Sequence, residues 1–452
     1  MELDRLPLIE AEKRALAPKL VKLAAFWKRR GRTGLIGQSP RRTDFFDFAQ
    51  RLDYIVDLLQ PCDMDARGFL RAALRRPSLF FQPPEELTSN VMTVAECFAA
   101  EGLTGKVYLR AVLRHPALFS LPAHTIATNI RGIAELFASD GLAVKAYLSA
   151  ALRLPPLFGV SPGRIAANIE GVVARFAEQG LTTAAYVRAS LRQPSLFASS
   201  PQKVAQNITS VVARFVADGL TCENYLRAAL RQPSLFYQDP ETITANIEAA
   251  AEHFRPQGVT VPDYVRAAVS QSSLFYQSPG RIAANIEMVT ERFAEAGLTR
   301  SAYLRAAIRQ TVLFSLSPGK VAGNITAVVE CFAADGLPVK AYLRSAVRHP
   351  PLFYMSPDTV IRHITTIIGL AESGVFRPKT LRKPLIRTGR NPRAIAIAFL
   401  LSHSSLLCLS DSNLALRVLH QRLTNGPTDG RLLTTSRRVV EQELEGLIGR
   451  DT

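Results

Sequence analysis

A block of 39 residues recurs eight times in register, and this constrains the fold more than any other feature of the chain. The run RRPSLFFQPPEEL, starting at Arg75, returns as RHPALFSLPAHTI, RLPPLFGVSPGRI, RQPSLFASSPQKV, RQPSLFYQDPETI, SQSSLFYQSPGRI, RQTVLFSLSPGKV and RHPPLFYMSPDTV. Its phenylalanine falls at Phe80, Phe119, Phe158, Phe197, Phe236, Phe275, Phe314 and Phe353, with no insertion between copies. The array occupies residues 64–375, leaving 1–63 and 376–452 as flanks.

Each copy reads as two helices. In TGKVYLRAVLR, Tyr108, Leu109, Val112 and Leu113 share one face of a first helix. Thr104, Thr182, Thr221 and Thr299 are placed to cap that helix. Pro77, Pro116, Pro155, Pro194, Pro233 and Pro350 end it, because proline has no amide hydrogen to continue the ladder. A second helix starts at Ser161-Pro162 and at its counterparts Ser200-Pro201, Asp239-Pro240, Ser278-Pro279, Ser317-Pro318 and Ser356-Pro357. A cap residue followed by proline at the first helical position is a start signal. The stripe Ile165, Ile169, Val172, Val173 and Phe176 follows, and Gly180 is expected as a left-handed stop, like Gly102, Gly141, Gly219, Gly258, Gly297 and Gly336. Neither helix can bury its stripe alone. The expected fold is therefore all-α: a superhelical α-solenoid, right- or left-handed, of two-helix repeats.

The chain has 452 residues, 47% of them apolar and 21% charged, which is enough to fill a continuous core. Its formal charge is +17, carried by 44 arginines and only 11 lysines. Guanidinium groups suit bidentate contact with phosphates, so this surplus points to a polyanion. Five cysteines, Cys62, Cys97, Cys222, Cys331 and Cys408, form no CxxC pair and no cluster with histidine, so no zinc site or disulfide framework is expected. No apolar run is long enough for a membrane span, and MELDRLPLIEAEK reads as neither transit peptide nor secretion signal. The expected setting is cytoplasmic, with an organelle or a host cell reached by delivery as other intracellular settings.

Catalytic patterns are missing as well. There is no P-loop and no HExxH, and no cofactor or metal ligand set stands out. Ser317-Pro-Gly-Lys320 is one copy of the second-helix start. The sequons at Asn207 and Asn324 fall within predicted helices. A binding protein rather than an enzyme is expected.

The arginines are not scattered. One column on the first helix is Arg71, Arg110, Arg188, Arg227, Arg266, Arg305 and Arg344, with Ser149 interrupting it. Four residues on lies a second column of Arg75, Arg114, Arg153, Arg192, Arg231, Arg309 and Arg348, interrupted by Ser270. Spacing of i, i+4 puts both on one face. Stacked copies would turn these fourteen arginines into a nucleic-acid-binding ribbon. The competing structural role is snorkelling over apolar neighbours or pairing with Glu101, Asp140, Asp218 and Asp335 near the ends of second helices.

Three other columns read as structural. The site after the second arginine varies (Arg76, His115, Leu154, Gln193, Gln232, Gln271, Gln310, His349). A base-reading code there is disfavoured, because packed helices lie about 8–10 Å apart while base pairs rise about 3.4 Å. A weakly constrained start of a loop is expected instead. Asn90, Asn129, Asn168, Asn207, Asn246, Asn285 and Asn324, with His363 last, read as a half-buried ladder that satisfies neighbouring carbonyls. Tyr108, Tyr147, Tyr186, Tyr225, Tyr264, Tyr303 and Tyr342 read as core with bonded hydroxyls rather than as a stacking platform for bases.

Residues 1–63 form a basic N-terminal segment whose TDFFDFAQRLDYIVDLLQ resembles an incomplete second helix capping the array. Residues 376–452 open with the basic run RPKTLRKPLIRTGRNPR and continue into a degenerate capping repeat, with Leu406-Leu407 in the Leu-Phe slot, and a tail. Net charges are +4 for residues 1–60, +6 for residues 61–375 and +7 for residues 376–452.

Arg192-Gln-Pro194-Ser-Leu196-Phe197, Ser200-Pro201 and Gly219-Leu220, repeated in register, resemble the motif of the mitochondrial transcription termination factor family. That resemblance covers residues 64–375 and faintly 392–424. It implies a short third turn in each repeat, a curved superhelix, and DNA or RNA lying in a basic concave groove. The period is longer, and the copies more alike, than is usual in that family, as would suit a prokaryotic relative. The rival expectation is a protein-interaction scaffold, such as a secreted effector, gripping an acidic partner.

Overall fold

A computed structural model of the chain describes residues 45–76, 78–79, 82–372 and 391–410, together with 412–414, 417, 438–439 and 441–442. Every regular element among them is helical. Each repeat begins with a first helix of ten residues, as in Gly105–Arg114, Val144–Arg153 and Thr183–Arg192. A short helical turn over the Leu-Phe run follows, for example Pro116–Ser120 or Pro350–Phe353. A second helix of fourteen to sixteen residues completes the unit, as in Ala123–Leu136, Pro162–Phe176 and Pro357–Glu372.

The boundaries follow from local chemistry. Thr104, Thr182, Thr221 and Thr299 each accept a hydrogen bond from the backbone amide three residues on. Thr260 adds a reciprocal capping box with Asp263. The serines before the second helices divide: Ser200 accepts from the Lys203 amide at 3.3 Å as expected, and three others form no cap bond. Ser161, Ser278 and Ser317 sit at the cap position without a side-chain cap bond, whereas Asp239 caps through Thr242 at 3.0 Å. The proline after each already fixes φ for the helix and removes one orphan amide, so these starts do not depend on the cap.

Second helices stop as expected. The seven glycines from Gly102 to Gly336 all have φ between 83° and 88°. The following leucine amide then reaches back to the last phenylalanine carbonyl, as in Leu181 to Phe176 at 3.1 Å. Asp63 stands in the same slot with φ 65°, and it is the one non-glycine residue at positive φ among the described residues. The repeat pattern thus begins half a unit before its first recognisable copy.

Contacts divide the described residues into two compact units. One runs to Thr209 and includes Ala229–Gln238; the other comprises Ser210–Ala228 and the residues from Asp239 on. Within the first unit the second helices Phe45–Leu58, Pro84–Cys97, Ala123–Leu136 and Pro162–Phe176 pack in series. The first helices Ala66–Arg75, Gly105–Arg114, Val144–Arg153 and Thr183–Arg192 do likewise. In the second unit Pro240–Phe254, Pro279–Arg292, Pro318–Cys331 and Pro357–Glu372 form the same kind of series. Pro392–Ser402 closes that unit against Val339–Arg348 and Pro357–Glu372, with Leu406 and Leu407 buried in the Leu-Phe slot.

The core repeats too. Tyr147 meets Phe197 edge-on at 5.1 Å and Tyr303 meets Phe353 at 5.2 Å, each tyrosine packing on the phenylalanine of the following repeat. Such pairs contribute about 0.5–1.5 kcal/mol beyond area burial. The asparagine ladder is as expected: Asn90, Asn129, Asn168 and Asn207 donate to the carbonyls of Phe119, Phe158, Phe197 and Phe236. His363 faces the Leu407 carbonyl at 3.1 Å. The tyrosines are core as expected, but their hydroxyls differ. Tyr342 donates to Leu352 at 3.1 Å and Tyr264 to Leu274 at 3.4 Å, whereas the hydroxyls of Tyr108, Tyr147 and Tyr186 have no partner. The carbonyl ten residues on is within reach only where the turn sits close enough. Burial pushes the phenol pKa up in all seven.

Candidate nucleic-acid interface

All fourteen arginines of the two columns are exposed, but the columns divide in what they touch. The second reaches backbone. Arg153 donates through Nη1 to the Arg192 carbonyl at 3.1 Å and through Nη2 to the Leu191 carbonyl. Arg192 does the same to Arg231, at 3.2 Å, and Leu230. Arg309 reaches Arg348, at 3.4 Å, and Val347; Arg114 reaches Leu152; Arg75 reaches Arg114 at 3.4 Å. Arg348 continues the pattern onto Leu401 at 2.7 Å. Each of these six arginines therefore caps the C-terminus of the next helix in the column.

The need for that cap is local. The last carbonyls of a helix lack intrahelical donors and carry the negative end of its dipole. First helices do not end on a left-handed glycine; Gln193 follows Arg192 with φ −125° and ψ 87°. No Schellman closure forms there. A guanidinium fork supplies the missing donors and cancels the local negative field. Neither carboxylate pairing nor simple snorkelling, the two structural roles expected from sequence, describes these contacts. The available signal was the absence of a C-terminal glycine on a helix that recurs next to an arginine.

The first column is more open. Among the described residues, the guanidiniums of Arg188, Arg305 and Arg344 carry no hydrogen bond or ion pair. Arg227 pairs with Glu223 and Arg266 with Asp263 at 3.3 Å, both on their own helices. Arg110 lies near Asp63, whose carboxyl is held below the usual range mainly by Lys106 at 2.8 Å. Arg71 is exposed at the start of the column.

Of the acids at second-helix ends, Asp335 finds a cation, though not one of these arginines, and the Glu101 Oε2 is buried without a partner. Arg393 grips Asp335 through two nitrogens at 2.5 and 2.9 Å and reaches Glu372 at 3.2 Å. Of the basic flanks, residues 28–42 and 377–390 lie outside the described residues, and Arg393 is engaged internally. The variable site is also more ordered than expected. Gln193, Gln232 and Gln271 each donate to a serine hydroxyl two residues on at 3.1–3.2 Å, and Gln310 donates to the Tyr354 hydroxyl at 2.7 Å. His115 and His349 have lowered pKa values, from burial first and then from neighbouring arginines.

Grooves lie between neighbouring first helices. One of about 350 Å³ is lined by Ala185, Arg188, Arg192 and Leu230; another of about 390 Å³ lies beside Lys340, Arg344 and Arg348. Among the described residues no cluster of three metal-ligating side chains occurs, and no helix is long and apolar enough to cross a membrane. No protein-family model matches the chain, and no curated protein matches it.

Proposed function

We propose that this is a non-enzymatic nucleic-acid-binding protein whose repeats continue as a superhelical solenoid, in the manner of the termination-factor repeats it resembles. The observation that carries the reading is that first-column guanidiniums are exposed and unpaired in each unit, at Arg188 in the first and at Arg305 and Arg344 in the second. Beside them the second column neutralises helix C-termini that would otherwise repel a phosphate. The first column makes the contacts; the second prepares the surface.

Fluorescence anisotropy with a labelled oligonucleotide across a salt series tests it. With some four or five phosphates neutralised, log K falls against log salt with a slope of roughly −4. Changing Arg188, Arg305 and Arg344 together to glutamine flattens the slope by about 3 while helicity is unchanged. Affinity indifferent to salt or to these changes refutes the reading. Capture of an acidic protein that survives nuclease, without oligonucleotide binding, would replace it with the scaffold reading.

A further inference from the structure

One groove stands apart by the residues its register brings together. In two repeats an acid just past the second helix meets the start of the first helix one repeat on: Asp63 pairs with Lys106, and Asp335 pairs with Arg393, whereas Glu101 forms no such pair. The two slots at this turn contain Glu101, Asp140, Gln179, Asp218, Gln257 and Asp335 followed by glycine, and Cys62 followed by Asp63. Only before Gly297 is the residue an alanine, Ala296. Lys340, the counterpart of Lys106, consequently has no carboxylate opposite it. Its stem lies over Gly297, where an added Cβ would stand 3.8 Å from Lys340 Cε.

The other charges in this groove are arranged in the same sense. Ala296, Gly297, Lys340, Arg344 and Arg348 line an opening of about 390 Å³, and no acidic residue lines it. Lys340 and Arg344 are unpaired among the described residues. Arg348 is turned onto the Leu401 carbonyl, and Arg309 covers the carbonyls of Val347 and Arg348. Asp335, the acid nearest Lys340 in sequence, is consumed by Arg393. Two cations one helical turn apart thus border an open recess lined also by Leu298, Ala302 and Val347, where Arg309 covers the helix-end carbonyls.

We propose that this groove is the principal phosphate seat of the second unit, holding one phosphodiester group between Lys340 and Arg344. The proposal rests on the nucleic-acid reading for its ligand. Two probes separate them: inorganic pyrophosphate by titration calorimetry, and a labelled oligonucleotide by anisotropy. The variants are Lys340→Gln with Arg344→Gln; Ala296→Glu, which restores the missing acid; and Arg214→Gln with Arg255→Gln, which removes equal charge from second helices. Circular dichroism checks that each folds. Pyrophosphate is expected to bind the native chain and the Arg214/Arg255 variant but neither groove variant. Oligonucleotide affinity should fall about tenfold in both groove variants, with the salt slope shallower by about 1 for the double substitution, as expected for one phosphate. Equal losses in groove and control variants, or pyrophosphate binding untouched by the groove variants, overturn the seat. Pyrophosphate bound in the groove with no oligonucleotide binding at low salt leaves the seat standing and refutes the nucleic-acid reading.

Discussion

Arg188 and Arg192 leave one face of the same helix a single turn apart, yet only Arg192 finds a partner within the protein. Arg192 ends a helix that has no glycine stop, and it reaches the bare carbonyls of the equivalent end one repeat on. Arg188, one turn earlier, faces a stretch whose carbonyls are already bonded within the helix. Residue type is the same, so the neighbour's unsatisfied backbone decides which guanidinium is structural and which remains available to a ligand.

The sharpest way to break this contrast is to remove the caps. Arg153→Met with Arg192→Met is expected to cost about 2 kcal/mol in urea or thermal denaturation, since each removes charge-assisted bonds to orphan carbonyls at exposed sites. Arg188→Met should stay within about 0.5 kcal/mol. Equal costs would dissolve the distinction. A smaller, opposite effect tests the gap in the ladder. Ser270 leaves the next first helix without a guanidinium cap, so Ser270→Arg should raise stability by about 1 kcal/mol at most. No gain would mean that the spacing there does not admit the bond.

The smallest effect is a pH dependence. Arg393 holds the Asp335 carboxyl below the usual carboxylate range, so the pair stabilises the fold above the unfolded pKa of about 3.9. That contribution is fully present at neutral pH and lost as pH falls through the lower folded value. Asp335→Asn should therefore lower the melting temperature at neutral pH, with the difference from the native chain vanishing in strong acid. A difference that persists in strong acid would assign the effect to packing rather than charge.

Much of this protein was legible in one dimension because its repeats are strictly periodic. Thr104 and Gly180 state where helices begin and end, since threonine hydroxyls cap amides and glycine admits positive φ without strain. Asn129 and its counterparts were readable as a carbonyl ladder because a polar residue next to an apolar stripe must bond there. The partners of Arg192 and Arg393 were not readable. Each contact joins positions about one repeat or more apart, and sequence alone does not say which atoms meet across that distance. Tyr147 and Tyr342 are identical letters in identical slots, yet one hydroxyl is bonded and the other is not.

By itself, then, the order of residues determined the helical elements, their repeat and which stripes go inside, because these depend on local dihedral preferences and on apolar periodicity. Which arginines are spent on the protein and which stay open, and why the recess beside Ala296 lacks a carboxylate, were decided only when neighbouring repeats packed. Backbone groups left unsatisfied in one repeat are completed by side chains of another, and that matching exists only in three dimensions.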